Sequence, residues 1–170
     1  MTDFLVLITV SIVIAATPML FAAVGELVAE RSGVLNLGVE GMMLIGAVVG
    51  FGVTMSTGSA ILGIGSAALA GAALALVFAV LVLTLMANQV ATGLALTIFG
   101  IGLSALIGAG FVGMPIAGLP KLAVPGVSDL PVVGPLLFQY DAMVYLSVAL
   151  TLAVGWFLKR THAGMVLRAV

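Results

Sequence analysis

Ionisable side chains are scarce in this chain of 170 residues, so their placement is the first clue to its chemistry. Only eleven residues are Asp, Glu, Lys or Arg, and Glu26, Glu30, Arg31 and Glu40 fall within fifteen positions, in the stretch GELVAERSGVLNLGVEGMM from Gly25 to Met43. Glu26 and Glu30 are four apart with Arg31 adjacent as a candidate partner, and Asn36 stands four residues before Glu40. A helix through this segment would put Asn36 and Glu40 on one face. The glycines suggest a second geometry, because Gly33, Gly38 and Gly41, together with Ser32 and Asn36, make a segment that breaks a helix easily. Irregular backbone at membrane depth is tolerated only where protein buries it or where it lines a watery cavity. Two readings therefore stand side by side: a short polar loop that fixes topology, or a broken element in which Asn36 and Glu40 face a translocation path.

Glu40 itself need not enter lipid. A charged side chain at the centre of a bilayer costs about 2.5–3.5 kcal/mol or more. The residues from Gly41 to Gly58 make a helix of about 27 Å, nearly the thickness of the hydrocarbon core, so Glu40 can stand at the mouth of a bundle. Asn88 and Gln89 pose a similar choice between two apolar runs. Their amides either end one helix and start the next, the ordinary role for such residues, or face the same path.

Catalysis finds little support. There is no GxxxxGK[ST] phosphate loop, and His162, the one histidine, lies among Lys159, Arg160 and Arg168. A single histidine cannot build a zinc site, and no Ser/His/Asp set can be assembled. The nine methionines are scattered as filler, and the lack of cysteine removes disulfide and thiol chemistry. No catalytic residue and no metal ligand is nominated.

The elements that must carry these residues follow from composition. The chain is 64% hydrophobic and 6% charged, with a mean hydropathy of +1.43. A soluble domain carries roughly a quarter charged residues, so this chain cannot clothe a water-facing surface and is an integral membrane protein. A net charge of -1 with five Lys and Arg leaves no nucleic-acid footprint. The N-terminal run lacks a basic region and is too long for a secretory signal, so it reads as a first span. Spans of about 20 apolar residues are expected at Phe4–Val24, Gly41–Thr57, Ala60–Met86, Val90–Val112 and Ala142–Leu158. The runs lack the alternation of a membrane barrel, so the fold class is all-α, a polytopic transmembrane helical bundle.

Basic residues orient the bundle. Arg31, Lys159, Arg160 and Arg168 fall on one side and Lys121 on the other, which places the 25–40 segment, the Asn88–Gln89 turn and the C-terminal tail in the cytoplasm. The N-terminus and the 113–141 connection are then outside. That connection has five prolines between Pro115 and Pro135, which forbid a continuous helix, and it reads equally as a structural cap or as a docking platform for an external partner. Small residues recur every four positions at Gly63, Ala67, Gly71 and Ala75, at Gly100, Ser104 and Gly108, and at Gly46 and Gly50. Such stripes let helix backbones approach closely.

The residues also carry a family resemblance. GELVAERSGVLNLGVEGMMLIGA resembles a segment of the permease subunits of ABC importers for nucleosides and related simple sugars, in the wider group of ribose and branched-chain amino acid permeases. ANQVATGLALTI is similar to that family's NQ-containing helix start, PGVSDLPVVGPLLFQYD to its external loop, and LKRTHAGMVLRAV to the approach to its cytoplasmic coupling region. The resemblance runs from about Ala16 to Val170. It implies one transmembrane permease domain over residues 1–170, with 113–141 as its Pro-rich external loop.

It further implies alternating access driven by ATP hydrolysis on partner subunits, with no cofactor in this chain, ATP and magnesium being held by those partners. Asn36, Glu40, Asn88 and Gln89 become candidates for the substrate path; Arg160, Thr161, Gly164 and Arg168 become the approach to the ATPase. The implied partners are a second permease subunit, cytoplasmic ATPase subunits, an external substrate-binding lipoprotein and the lipid of the inner (plasma) membrane. Family members continue with a GE and a helix that docks on the ATPase, whereas this sequence stops at Val170, as a fragment or a truncated product would. The readings from other classes are an ATP-independent secondary carrier, disfavoured because Glu40 sits near a span end, and a structural membrane subunit.

Overall fold

The computed structural model describes residues 2–122 and 133–169. Its helices are α1 (Thr2–Arg31), α2 (Val39–Thr57), α3 (Ala60–Ala79), α4 (Gln89–Gly108), α5 (Val133–Leu137), α6 (Ala142–Arg160) and α7 (His162–Ala169). A π-helical segment, Val80–Thr84, prolongs α3, and a 3-10 turn, Ala109–Phe111, prolongs α4. Among the described residues five helical stretches are long and apolar enough to cross a membrane: Phe4–Arg31, Val39–Thr57, Ala60–Thr84, Gln89–Phe111 and Ala142–Arg160. These are the five expected spans, with one difference of consequence. The first runs on past Val24, so Glu26, Glu30 and Arg31 lie on α1 and not in a loop. Glu, Leu, Ala and Arg are strong helix formers, and nothing breaks the helix until Ser32 and Gly33.

Polar groups within the spans are largely satisfied by their own helices. Thr9, Thr17, Thr54 and Thr151 each donate to the carbonyl four residues earlier, at 2.7–2.9 Å. This is how a hydroxyl avoids an unpaired donor where water is excluded. Outward faces are apolar: Ile61, Leu69, Ile98 and Leu106 are 72–81% exposed, a pattern suited to lipid contact.

The chain divides into two compact units, Met1–Ser32 with Gly118–Val170, and Gly33–Ala117. In the first, α1 packs on α5 and α6, and α6 on α7. Asp141 starts α6: its Oδ1 accepts the backbone N–H groups of Met143 at 2.9 Å and Val144 at 3.1 Å. Lys121 and Asp141 form an isolated bridge, in which the Leu122 N–H donates to the Tyr140 carbonyl at 2.9 Å. The short helix α5 lies within the 113–141 connection; residues 123–132 of that connection are outside the described residues.

In the second unit α2 packs on both α3 and α4. The small residues sit at these crossings. A Cβ on Gly50 would lie 2.9 Å from the Ala67 Cβ and 3.0 Å from the Gly63 carbonyl oxygen, and one on Gly46 would lie 3.1 Å from the Ala67 carbonyl oxygen. Met42, Phe78, Val82 and Leu96 form the buried core of this unit, joined by Val34 and Leu74. Phe78 and Val82 bracket the start of the π-helical segment, so the widened turn lies against the core. Beyond it, Met86 takes φ 53°, a left-handed conformation that suits few side chains, and reverses the chain into α4.

Candidate functional site

Between α1 and α2 the chain abandons the helix. Ser32 turns back on Ala29 through its backbone N–H (3.0 Å) and its hydroxyl (2.7 Å), and Gly33 has φ 79°, which a side chain would oppose. Residues 34–36 have no regular structure, Leu37 and Gly38 form a turn, and α2 begins at Val39. Of the two geometries open to this segment, the structure adopts the glycine-broken one. Asn36 therefore does not share a helical face with Glu40.

A segment without regular structure must find partners for its backbone elsewhere. The Leu35 N–H donates to Gln89 Oε1 at 2.7 Å, and the Leu37 carbonyl accepts the Thr97 hydroxyl at 2.8 Å. Asn36 Oδ1 accepts the Gly38 N–H at 2.9 Å, and its amide nitrogen approaches Met42 Sδ at 3.6 Å. Gln89, Gly93, Thr97 and Gly100 recur at four, four and three residues along α4, so they form one stripe facing the segment. Glycine is required there. A Cβ on Gly93 would lie 2.8 Å from the Leu37 nitrogen, and one on Gly100 would lie 2.5 Å from the Gly41 Cα.

The predicted path residues are thus gathered at one end of this unit. Asn36 is half-buried in the segment. Glu40 is exposed in the first turn of α2, where a negative charge suits the helix dipole. Asn88 caps α4, its Oδ1 accepting the Ala91 N–H at 3.0 Å, so the amide pair does start the fourth span. Gln89 holds Leu35. In both of these bonds the Asn88 and Gln89 amides act through oxygen, not through their NH2 donors. This group offers donors, acceptors and one carboxylate; it contains no nucleophile paired with a base.

The second predicted group lies at the junction of α6 and α7. Arg160 ends α6 and is exposed. The Thr161 hydroxyl donates to the Phe157 carbonyl at 2.7 Å and accepts the Gly164 N–H at 3.0 Å, ending one helix and opening the next. Gly164 is buried so closely that a Cβ would collide with the Phe157 carbonyl. Arg168 Nε reaches the Gly164 carbonyl at 3.4 Å.

Sequence reasoning passed over two residues. Thr97 lies eight residues after Gln89 with Gly93 midway, a spacing that could have revealed it. Tyr140 is 4% exposed, and its hydroxyl is buried with no hydrogen-bond partner among the described residues. Burial, and secondarily the nearby Tyr145, push its phenol above the ordinary value of 10.0. A cavity of about 300 Å³ in the same unit is lined by Ile14, Thr17, Pro18 and Phe21 of α1 and by Asp141, Met143 and Val144. Its walls are mainly apolar, and its carboxylate already serves as the cap of α6.

Five apolar helical spans, with a broken polar segment seated on the fourth, define a multi-pass helical membrane protein. Residues 8–170 match the family described as branched-chain amino acid transport system / permease component, and the chain belongs to that family. It is 46% identical over 160 residues to a candidate glucose ABC transporter permease protein of Haloferax volcanii, covering 92% of this chain and 49% of that protein. It is 30% identical to the guanosine ABC transporter permease protein of Bacillus subtilis, over 99% of this chain and 56% of the relative. The nucleoside ABC transporter permease protein of Lactococcus lactis is 27% identical over 96% of this chain and 55% of its own length. The chain therefore spans about half the length of the curated relatives it matches. No solved structure matches it.

Proposed function

We propose that this chain forms part of the permease subunit of an ATP-binding-cassette importer and contributes to the translocation path for nucleosides or related simple sugars. The observation that carries this reading is the match over residues 8–170 to a permease family whose similar members are named for glucose, guanosine and nucleoside transport. The segment 33–40 supports it. Non-helical backbone flanked by spans is a device for presenting polar groups to a solute, and Asn36 and Glu40 are what this segment presents. Asn88 and Gln89 complete the polar rim.

ATP and magnesium are bound by cytoplasmic ATPase subunits, and solute is delivered by an external binding lipoprotein to a pair of permease subunits in the inner (plasma) membrane. The N-terminus and the 113–141 connection lie outside, the latter meeting the binding protein. The α6–α7 junction, with Arg160, Thr161, Gly164 and Arg168, lies on the cytoplasmic side and leads to the ATPase contact. The bunched basic residues Arg31, Lys159, Arg160 and Arg168 support that orientation.

The test is uptake of radiolabelled guanosine and glucose by vesicles holding the complete assembly, with and without ATP. ATP-dependent uptake of either solute, reduced in Glu40→Gln at equal protein amounts, is the expected result. Uptake driven by an ion gradient without ATP would reassign the chain to the secondary carriers, and unchanged uptake in Glu40→Gln would remove that residue from the path.

A further inference from the structure

We propose that Gln89 and Thr97 are positioning residues that clamp the 33–38 segment to α4 and so set where Asn36 stands; this rests on the reading that Asn36 and Glu40 face the solute path. The two hydrogen bonds fall on either side of Asn36. Gln89 Oε1 takes the N–H of the residue before it, Leu35, and the Thr97 hydroxyl donates to the carbonyl of the residue after it, Leu37. Between these points Gly93 brings the α4 backbone so close that an added Cβ would lie 2.8 Å from the Leu37 nitrogen. Asn36 is thus fixed by two side chains and one backbone contact from a single helix, while its own Oδ1 closes the turn onto Gly38.

Gln89 acts through the segment. Its amide oxygen accepts the Leu35 N–H, so its loss frees the chain that carries Asn36. Thr97 has the same character: a threonine in a transmembrane helix ordinarily donates to its own helix, as Thr54 does to Gly50, yet Thr97 donates to a carbonyl of another element. Each bond is reached across a long stretch of sequence, and together they tie the start of α2 to α4 at the end where the helix is broken.

These 170 residues hold no cysteine, so labelling of one introduced among them can be followed on its own peptide by mass spectrometry. Leu35→Cys is suitable because the bond to Gln89 uses the backbone and the Leu35 side chain is 38% exposed. In the complete assembly, the rate of maleimide labelling at this position is measured alone and combined with Thr97→Val, Thr97→Ser or Gln89→Met, alongside initial uptake rates. A hydrogen bond is worth about 0.5–1.5 kcal/mol net, so Thr97→Val and Gln89→Met should each speed labelling by roughly two- to tenfold. Thr97→Ser, which keeps the hydroxyl, should restore the original labelling rate and the uptake lost in Thr97→Val.

Unchanged labelling in both Thr97→Val and Gln89→Met would overturn the clamp. Faster labelling with unaltered uptake would overturn its role in positioning the path. If the unmodified assembly shows no ATP-driven uptake while the substitutions still speed labelling, the clamp stands and the transport reading falls.

Discussion

Adding one methyl group at Gly100 should cost far more than adding it two residues later. A Cβ at Gly100 would lie 2.5 Å from Gly41 Cα, 2.6 Å from its carbonyl oxygen and 2.7 Å from its carbonyl carbon, whereas a Cβ at Gly102 would meet nothing within 4 Å. Carbon atoms rest at about 3.5–4.0 Å, so Gly100→Ala forces α2 and α4 apart by about 1 Å. The obstructing atoms are backbone and cannot rotate aside. The two helices are also tied nearby, where Gly93 meets Leu37 and Gly38 and where Gln89 and Thr97 hold the segment before α2.

Overpacking of this kind costs typically about 1–3 kcal/mol, and a rigid obstruction belongs at the upper end. Alanine recovers about 1 kcal/mol of helix propensity, leaving a net loss of about 2 kcal/mol. Gly102→Ala collects the propensity gain alone, so the two substitutions should differ by about 3 kcal/mol with opposite signs. For a chain of this size each kcal/mol moves the midpoint by about 2–4 °C. Thermal unfolding in lipid nanodiscs, followed by circular dichroism, should therefore place Gly100→Ala about 4–8 °C below the parent and Gly102→Ala slightly above it. A Gly100→Ala midpoint at or above that of Gly102→Ala would refute the inference that α2 and α4 touch through their backbones.

Three further outcomes can be measured. Tyr140→Phe removes a buried hydroxyl that has no partner among the described residues and should stabilise the protein by about 1–3 kcal/mol, read as a higher unfolding midpoint. Because the phenol is raised above 10.0 in the fold, the unfolded chain gives up its proton first as the pH passes that value. The parent should lose stability above about pH 10 relative to Tyr140→Phe, while the gap between them stays constant below it; parallel midpoints from pH 9 to 11 would contradict this. For the proposed orientation, an impermeant maleimide on intact cells should label Met114→Cys directly and His162→Cys only after permeabilisation. The reverse pattern would invert the topology.

Much of the fold was legible in the residues because its causes are local. Apolar run length dictated where the spans fall, and the scarcity of charge excluded a water-facing surface. Glycine spacing marked the helix crossings, since only small residues allow such approach. The charged cluster at Glu26, Glu30 and Arg31 was harder to place. Its residues favour a helix as strongly as their charges suggest a loop, and helix propensity prevailed up to Ser32.

The candidate site was legible only as a set of names. Sequence alone determined that Asn36, Glu40, Asn88 and Gln89 are the polar residues to watch in the 33–40 segment and at the start of the fourth span, and that the glycines around Asn36 permit a broken helix. Only the tertiary structure decided that the helix does break there. It also decided that Gln89 and Thr97 hold Leu35 and Leu37, whereas the Asn88 cap of α4 is the local role the sequence favoured. Those partners lie 54 and 60 residues along the chain from the groups they bind. Periodicity reports which face of a helix is apolar, but not which distant helix will supply a donor to an unpaired carbonyl. That choice is made when α2 and α4 close on their glycines and bring the broken segment within hydrogen-bonding reach.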